Sequence, residues 1–168
     1  MSDGVALWLR VAAITAVSLV LLVAIVPDRP PTRVPWAIAV AAGMCAGVVL
    51  FSAITRSRPR LSPVASGAPV ALGKLAFLGL WATNEEVVWR RIALGELLRA
   101  GAVPALVAST LGFALMHRSR RGVHLGTGSA FGAVYLLTGA LAASVAAHWT
   151  YNALVGGFVA DRRPTEAL

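Results

Sequence analysis

The stretch that decides the fold is residues 70–91, VALGKLAFLGLWATNEEVVWRR, an apolar run that contains two adjacent carboxylates, Glu85 and Glu86. An ionised carboxylate at the centre of a bilayer costs at least about 2.5–3.5 kcal/mol, so a membrane helix keeps two only when they are paired, neutralised or used. Arg90 follows Glu86 by four residues, which places both side chains on one helix face and lets them pair. Glu85 lies about 100° around the helix from Glu86 and therefore points elsewhere.

The composition of the whole chain is that of a membrane protein. The 168 residues are 58% hydrophobic and only 13% charged, whereas soluble domains are about 45–50% apolar and about 25% charged. The length suits one integral membrane domain, 1–168, which begins with a two-helix segment at 5–54.

Six apolar runs predict the helices of this domain. A helix that spans a membrane needs about 20 mostly apolar residues, with a range of about 17–25. The predicted helices cover 7–26, 36–54, 70–98, 102–117, 126–137 and 140–160. The proline-rich residues 27–31 end the first helix, residues 55–67 form a polar loop, and the third helix is expected to break near Gly95. The sequence therefore predicts an all-α, polytopic transmembrane bundle of about six spans.

The positive charge of the chain predicts how the bundle is oriented. The net charge is +8, and arginine carries almost all of the positive charge. Six spans place both termini on one side with nine arginines and leave five on the other, which favours cytoplasmic termini. The arginines lie between apolar runs, where they contact the lipid bilayer, and no basic face interleaved with aromatic residues indicates a nucleic-acid partner. The arginine- and alanine-rich composition is typical of a bacterial chain, so we expect a multi-pass protein of the inner membrane.

Polar side chains at membrane depth form the candidate site. They fall on the third, fourth and sixth predicted helices and are Glu85, Glu86, Arg90, His117, His148 and Asn152. A carboxylate with an imidazole can deprotonate water. An asparagine amide and a histidine N–H can stabilise an oxyanion, which in other enzymes contributes roughly 2.7–4 kcal/mol per donor. Together these groups have the parts for water attack on an amide, and no serine lies beside a histidine base in a recognisable pattern.

Three motifs connect these residues to a known family. Residues 85–90 match E-E-x-x-x-R, residues 113–117 match F-x-x-x-H and residues 148–152 match H-x-x-x-N. In this order and separation, they resemble the CPBP intramembrane proteases, also called the Abi or CAAX protease family. The resemblance covers a motif-bearing core at about 72–157. It implies a glutamic-type intramembrane endopeptidase that cleaves a membrane-anchored protein or peptide, in C-terminal signal processing or peptide maturation.

The resemblance also implies a role for each motif residue. Glu85 takes the place of the catalytic carboxylate, and His117 helps it to activate water. His148 and Asn152 correspond to the pair that stabilises the oxyanion. No cofactor is implied, because a mechanism without metal is better supported for the CAAX-processing branch of the family.

The remaining motif residues have supporting roles, and two positions depart from the family pattern. Glu86 and Arg90 take the place of the supporting charge pair. Arg91 stands where many relatives have glycine, and Trp89 stands where phenylalanine is common. These departures, like the bacterial composition, bear on the type of substrate more than on the chemistry, and a prenylated substrate is not expected.

Three alternatives stay open from the sequence. In a zinc-dependent version of the same hydrolysis, Glu85, His117 and His148 supply three ligands and water the fourth, although no H-E-x-x-H motif is present. A non-catalytic immunity or scaffold protein would retain the motifs for stability. A small transporter would use the buried charges as a proton relay, but the chain lacks the paired, interrupted half-helices typical of transporters.

Several single residues have simpler interpretations. His148 and Asn152 can act as interhelical hydrogen-bonding residues, worth about 0.6 kcal/mol per contact. His124 follows a basic run in a glycine-rich segment, and we expect it to be a solvated loop residue. Cys45 lies within an apolar run and is expected to be a small buried hydrophobe. The tryptophans predicted to serve as packing or interface anchors are Trp8, Trp36 and Trp149.

Overall fold

The computed structural model describes residues 3–59 and 68–156, and these ranges contain helices and loops but no strand. The main helices are α1 (Asp3–Ala24), α2 (Trp36–Thr55), α3 (Ala68–Glu86), α4 (Ala102–Met116), α5 (Arg121–Thr138) and α6 (Leu141–Gly156). α1 and α2 are each long and apolar enough to cross a membrane. The predicted all-α bundle of six helices is confirmed. The predicted loop residues 60–67, and the residues from 157 onward, lie outside the described residues.

α2 and α6 pack with their backbones in close contact. Gly43 of α2 lies against the backbone of Ala143, and Gly47 lies against Ala147 and Thr150, so the two helices run parallel. A side chain at either glycine would overlap the backbone carbonyl that faces it. Small residues at such positions let two membrane helices approach closely, so these two glycines determine how near α2 lies to α6.

Polar contacts fix the position of α3 between α1 and α6. The Trp149 indole N–H donates to the Leu75 carbonyl at 3.0 Å, which ties α6 to the first half of α3. The Asn84 amide donates to the Thr15 hydroxyl at 2.9 Å, near the end of α3. Trp8 packs edge-on against an aromatic ring of α3, so Trp8 and Trp149 are both packing residues.

The helix that begins as α3 is not interrupted at Gly95, where the sequence predicted a break. α3 continues as a π-helix (Val87–Leu94), then one short α-helical segment (Gly95–Leu97) and a 3₁₀ turn (Leu98–Ala100). The backbone of Gly95 is right-handed helical, with φ −59° and ψ −45°. Glycine is needed there for a different reason, because a Cβ atom would lie 2.8 Å from the carbonyl oxygen of Asp28 in the α1–α2 loop.

The same α1–α2 loop is fastened to the core by Arg91. The Arg91 side chain is buried, and its Nη1 donates to the Pro27 carbonyl at 2.8 Å and lies 3.4 Å from the Asp28 carbonyl oxygen. The backbone N–H of Arg33 donates to the Thr138 carbonyl at 3.1 Å, at the end of α5. Hydrogen bonds from a charged donor are among the stronger ones in proteins, so Arg91 joins the first two helices to the motif-bearing core.

α5 begins five residues earlier than predicted. Arg120 adopts a left-handed conformation, with φ 51°, and its carbonyl accepts the N–H groups of Val123 and His124 at 2.8 and 3.2 Å. The helix therefore starts at Arg121, directly after a turn. That turn contains no glycine, the residue that commonly indicates a turn in a sequence. As a result, His124 lies on a helix and not in a loop.

Cys45 is exposed, so the prediction that it is buried is wrong. The buried positions of α2 recur every four residues and are Ala39, Gly43, Gly47 and Phe51. Cys45 lies two residues after Gly43, which is about 200° around the helix. It therefore faces outward, on the side of α2 opposite α6.

We predict that Gly47→Ala destabilises the protein by about 1–3 kcal/mol, because the new methyl group overlaps α6 and forces the helices apart. Gly73→Ala on α3 is the matched control, since a Cβ atom there meets no other group within 4 Å. The measurement is the free energy of unfolding in detergent micelles, followed by circular dichroism. Equal stability of the two variants would show that α2 and α6 are not in close contact.

Candidate active site

One cavity of about 180 Å³ gathers residues from α3, α4, α5 and α6. The predicted site residues in its wall are Glu85, His117, His148 and Asn152. Two residues that were not assigned to the site, Trp81 and His124, also line it. The other two predicted residues lie behind the wall, where Glu86 and Arg90 are fully buried.

Glu85 lies between two imidazoles. Its Oε1 is 3.9 Å from Nε2 of His117, at the end of α4, and its Oε2 is 3.5 Å from Nε2 of His148 on α6. Its Oε1 also accepts a hydrogen bond from the indole N–H of Trp81 at 2.6 Å, one helical turn earlier on α3. The carboxylate is therefore held in place while it remains open to the cavity.

The local backbone of α4 determines which ring nitrogen of His117 carries hydrogen. The backbone N–H of His117 donates to Ala114, so the Phe113 carbonyl lacks its usual helical donor. The His117 ring replaces that donor, with Nδ1 2.7 Å from the Phe113 oxygen. Because a carbonyl only accepts, the hydrogen is assigned to Nδ1, and Nε2 of the neutral ring is an acceptor that faces Glu85.

His148 is oriented by the second glutamate. Its Nδ1 lies 2.8 Å from Oε1 of Glu86, and its ring stacks on Phe131 with centroids 4.5 Å apart. A carboxylate that accepts from one ring nitrogen determines what the other nitrogen can do. Glu86 thus points Nε2 of His148 at Glu85 and the cavity.

Glu86 has two further partners besides His148. Arg90 pairs with it at 3.0 Å, and neither side chain is exposed. The Ser144 hydroxyl, one turn before His148 on α6, hydrogen-bonds to the same carboxylate. The guanidinium of Arg90 also lies 5.3 Å from the centre of the Phe113 ring. Arg90 belongs to the π-helical segment, a rare form of helix that is frequent at functional sites.

Asn152 lies one turn after His148 on the same face of α6, as their four-residue spacing indicated. Its side chain lines the cavity beside the imidazole. The structure thus brings the amide to the cavity that also contains the Glu85 carboxylate and both histidines of the motifs.

Sequence reasoning missed three residues near the site. Trp81 and Ser144 each lie four residues before a motif residue, Glu85 and His148 respectively, so helical spacing could have revealed them. His124 was predicted to be a solvated loop residue, and that prediction is wrong. It lies on α5 and in the cavity wall, and its ring stacks on His117 with centroids 3.7 Å apart.

The zinc alternative requires Glu85, His117 and His148 to converge on one ion. Across residues 3–59 and 68–156, no group of three histidine, cysteine, aspartate or glutamate side chains is arranged to hold a metal ion. The mechanism proposed below therefore uses no zinc.

A helical membrane bundle with a carboxylate, imidazoles and an amide around one cavity defines a class of membrane-embedded hydrolase. Residues 67–154 match the family model described as type II CAAX prenyl endopeptidase Rce1-like, which covers just over half of the chain. The chain belongs to this family, and the resemblance to the CAAX proteases is confirmed. No match was found among curated proteins or among solved structures.

Membership of the family has general consequences for function. It implies a peptidase that acts on a membrane-associated peptide substrate. The family and the two long apolar helices together indicate a membrane protein.

We predict that Glu86→Gln destabilises the protein by about 3–5 kcal/mol, because it leaves Arg90 buried without a compensating charge. Glu96→Gln is the matched control. Glu96 pairs with Arg99 at 3.3 Å, but these side chains are 43% and 73% exposed, and pairs exposed to water contribute about 0–1 kcal/mol. The measurement is the free energy of unfolding of both variants. A Glu86→Gln protein as stable as Glu96→Gln would contradict the importance of the buried pair.

Proposed function

We propose that the chain is a glutamate-dependent intramembrane endopeptidase, which hydrolyses a peptide bond near the end of a membrane-anchored protein or peptide. The family match supports a peptidase in general. The observation that carries the finer proposal is the position of Glu85, whose carboxylate oxygens face Nε2 of His117 and Nε2 of His148 at 3.9 and 3.5 Å.

The first step is the activation of water by Glu85 and His117. Oε1 of Glu85 and Nε2 of His117 are both hydrogen-bond acceptors, and 3.9 Å is too long for a direct hydrogen bond. A water molecule has two hydrogens and can donate one to each of these atoms. Such a water is oriented, and a carboxylate is beside it to remove a proton. General-base catalysis of this kind contributes about 10²–10⁴-fold.

The second step forms and breaks the covalent bonds. As Glu85 takes a proton from water, the water oxygen bonds to the carbonyl carbon of the substrate, and the carbonyl electron pair moves onto oxygen. When the oxyanion collapses, the carbon–nitrogen bond breaks and Glu85 returns its proton to the departing amine. The products are a carboxylic acid and an amine, and Glu85 is regenerated.

His148 and Asn152 stabilise the oxyanion in this scheme. Nδ1 of His148 donates to Glu86, so the ring must carry a second hydrogen on Nε2 to donate to the substrate. The positive ring then lies between the carboxylates of Glu85 and Glu86, which compensate its charge. The Asn152 amide supplies the other donor. Fixed donors in a site that excludes water are worth roughly 2.7–4 kcal/mol each in other enzymes.

We further propose a multi-pass protein of the bacterial inner membrane, a single integral domain with both termini in the cytoplasm. The packing agrees with helices that cross in alternating directions. α2 runs parallel to α6, and α3 runs antiparallel to it, because Leu75 contacts Trp149 while the later residue Glu86 contacts Ser144. The basic residues 118–121 directly follow His117, so the cavity lies toward the arginine-rich side that the charge bias assigns to the cytoplasm.

We predict that Glu85→Gln and His117→Ala each lower the rate of cleavage by at least about 10²-fold, because each removes a group that activates water. The assay uses purified protein in liposomes and a panel of quenched fluorescent C-terminal peptides, with and without a prenylated cysteine. Glu96→Gln, which changes an exposed carboxylate, should cleave at the wild-type rate.

Three outcomes would contradict this proposal or its metal-free form. A folded Glu85→Gln protein that cleaves as fast as wild type would refute the glutamate-dependent mechanism. A biological activity that survives in the same variant would indicate a non-catalytic immunity or scaffold protein. Loss of cleavage with a chelator and recovery with added zinc would support the zinc-dependent version.

We predict that Asn152→Ala lowers kcat by about 10²–10³-fold and leaves KM almost unchanged, because an oxyanion donor acts chiefly in the transition state. Asn152→Asp keeps the shape but removes the donor, so it should show a similar loss. Kinetics with the best peptide of the same panel measures both constants. A raised KM with an unchanged kcat would instead assign Asn152 to substrate binding.

A further inference from the structure

All three histidines of the chain lie at the same cavity, although only two of them belong to the family motifs. His117 and His148 come from the motif segments. The third, His124, reaches the cavity from α5. An imidazole can act as an acid, a base or a packing surface. The position of His124 in the cavity wall therefore raises the question of which of these roles it has.

The contact between His124 and His117 is a parallel ring stack. The two ring planes are within 19° of each other, with centroids 3.7 Å apart. The turn at residues 117–120 makes this contact, because α5 starts at Arg121 and His124 is one turn further along. The two rings lie face to face across the junction of α4 and α5.

His117 needs a second support because its backbone has already left the helix. Its φ of −92° and ψ of 122° are extended values. On α4, its ring is held by the hydrogen bond from Nδ1 to the Phe113 carbonyl and by contact with the Phe113 ring, with centroids 4.6 Å apart. Both contacts come from Phe113, so the placement of the ring depends on a single residue of α4. A stacked partner fixes the plane, and with it the direction in which Nε2 points toward Glu85.

His124 itself lies too far from the carboxylates to act as their direct partner. In the part of the chain that the structure describes, the histidine nitrogens within 4.0 Å of a carboxylate oxygen belong to His117 and His148. The close neighbours of the His124 ring are instead the rings of His117 and Phe113, the latter with centroids 5.8 Å apart. This geometry favours a role that depends on the shape of the ring.

We propose that His124 is a positioning residue, which holds the imidazole plane of His117 so that Nε2 faces the water activated by Glu85. This inference rests on the proposed function and deepens it, since it adds a supporting residue that lies outside the three motifs. A flat aromatic ring is the property that matters, so phenylalanine should replace His124 and alanine should not.

The first test compares the cleavage rates of His124→Ala and His124→Phe in liposomes, with the quenched peptide panel. We expect His124→Ala to lower kcat by roughly 10- to 100-fold with little change in KM, because small errors in the placement of catalytic groups are costly. His124→Phe should stay within about threefold of wild type on the same grounds. Leu125→Ala, an exposed neighbour on α5, is the control for a general disturbance of the helix.

The second test does not depend on a substrate. Protein with ¹⁵N-labelled histidine contains only three imidazoles, so its ring nitrogens can be assigned by nuclear magnetic resonance in detergent, with one histidine replaced at a time. We expect the hydrogen of His117 to reside on Nδ1 in wild type and in His124→Phe. In His124→Ala, a weakened hydrogen bond from Nδ1 to Phe113 should let the hydrogen exchange between the two His117 nitrogens, so their signals should move toward a common averaged position.

The outcomes separate the positioning role from the proposed function. If Glu85→Gln abolishes cleavage while His124→Ala cleaves like wild type, the positioning role is refuted and the proposed function stands. If His124→Phe is as inactive as His124→Ala while its His117 signals match wild type, His124 acts through its nitrogens and the positioning role is refuted. If Glu85→Gln cleaves at the wild-type rate, the proposed function fails, and the nitrogen signals still decide whether His124 holds His117.

Discussion

The burial of the Glu86 carboxylate is the constraint on which the rest of the site depends. Removing a charge from water costs several kcal/mol, and close contacts with an opposite charge and with hydrogen-bond donors offset that cost. Here Arg90, His148 and Ser144 all contact the carboxylate. Two of these partners lie on α6, so satisfying Glu86 also sets the position of α6 relative to α3.

Glu85, the residue before Glu86, has a different environment because consecutive side chains point in different directions around a helix. Glu86 faces α6 and is fully buried, whereas Glu85, about 100° around the helix, faces the cavity and contacts Trp81. Two identical side chains can take opposite roles when their environments differ, one structural and one chemical. His148 connects the two carboxylates, because Glu86 holds one of its ring nitrogens and Glu85 faces the other.

The other helices support the residues around Glu86 by close packing and by holding the α1–α2 loop in place. Gly43 and Gly47 let α2 lie directly on the backbone of α6, which carries His148 and Asn152. On the far side, Arg91 binds the carbonyls that follow α1 and so holds the first two helices on the core. Arg91 thus joins two segments that are 64 residues apart in the chain.

The sequence by itself determined the features that depend on one helix at a time. Long apolar runs indicated the helices, and four-residue spacing indicated the pairing of Glu86 with Arg90, because a helix places such residues on one face. The tertiary structure alone decided which faces meet. The stack of His124 on His117 depends on the turn at residues 117–120. The bond from Ser144 to Glu86 and the outward position of Cys45 depend on how separate helices pack. That packing comes from contacts between residues far apart in the chain, which the periodicity of a single helix does not encode.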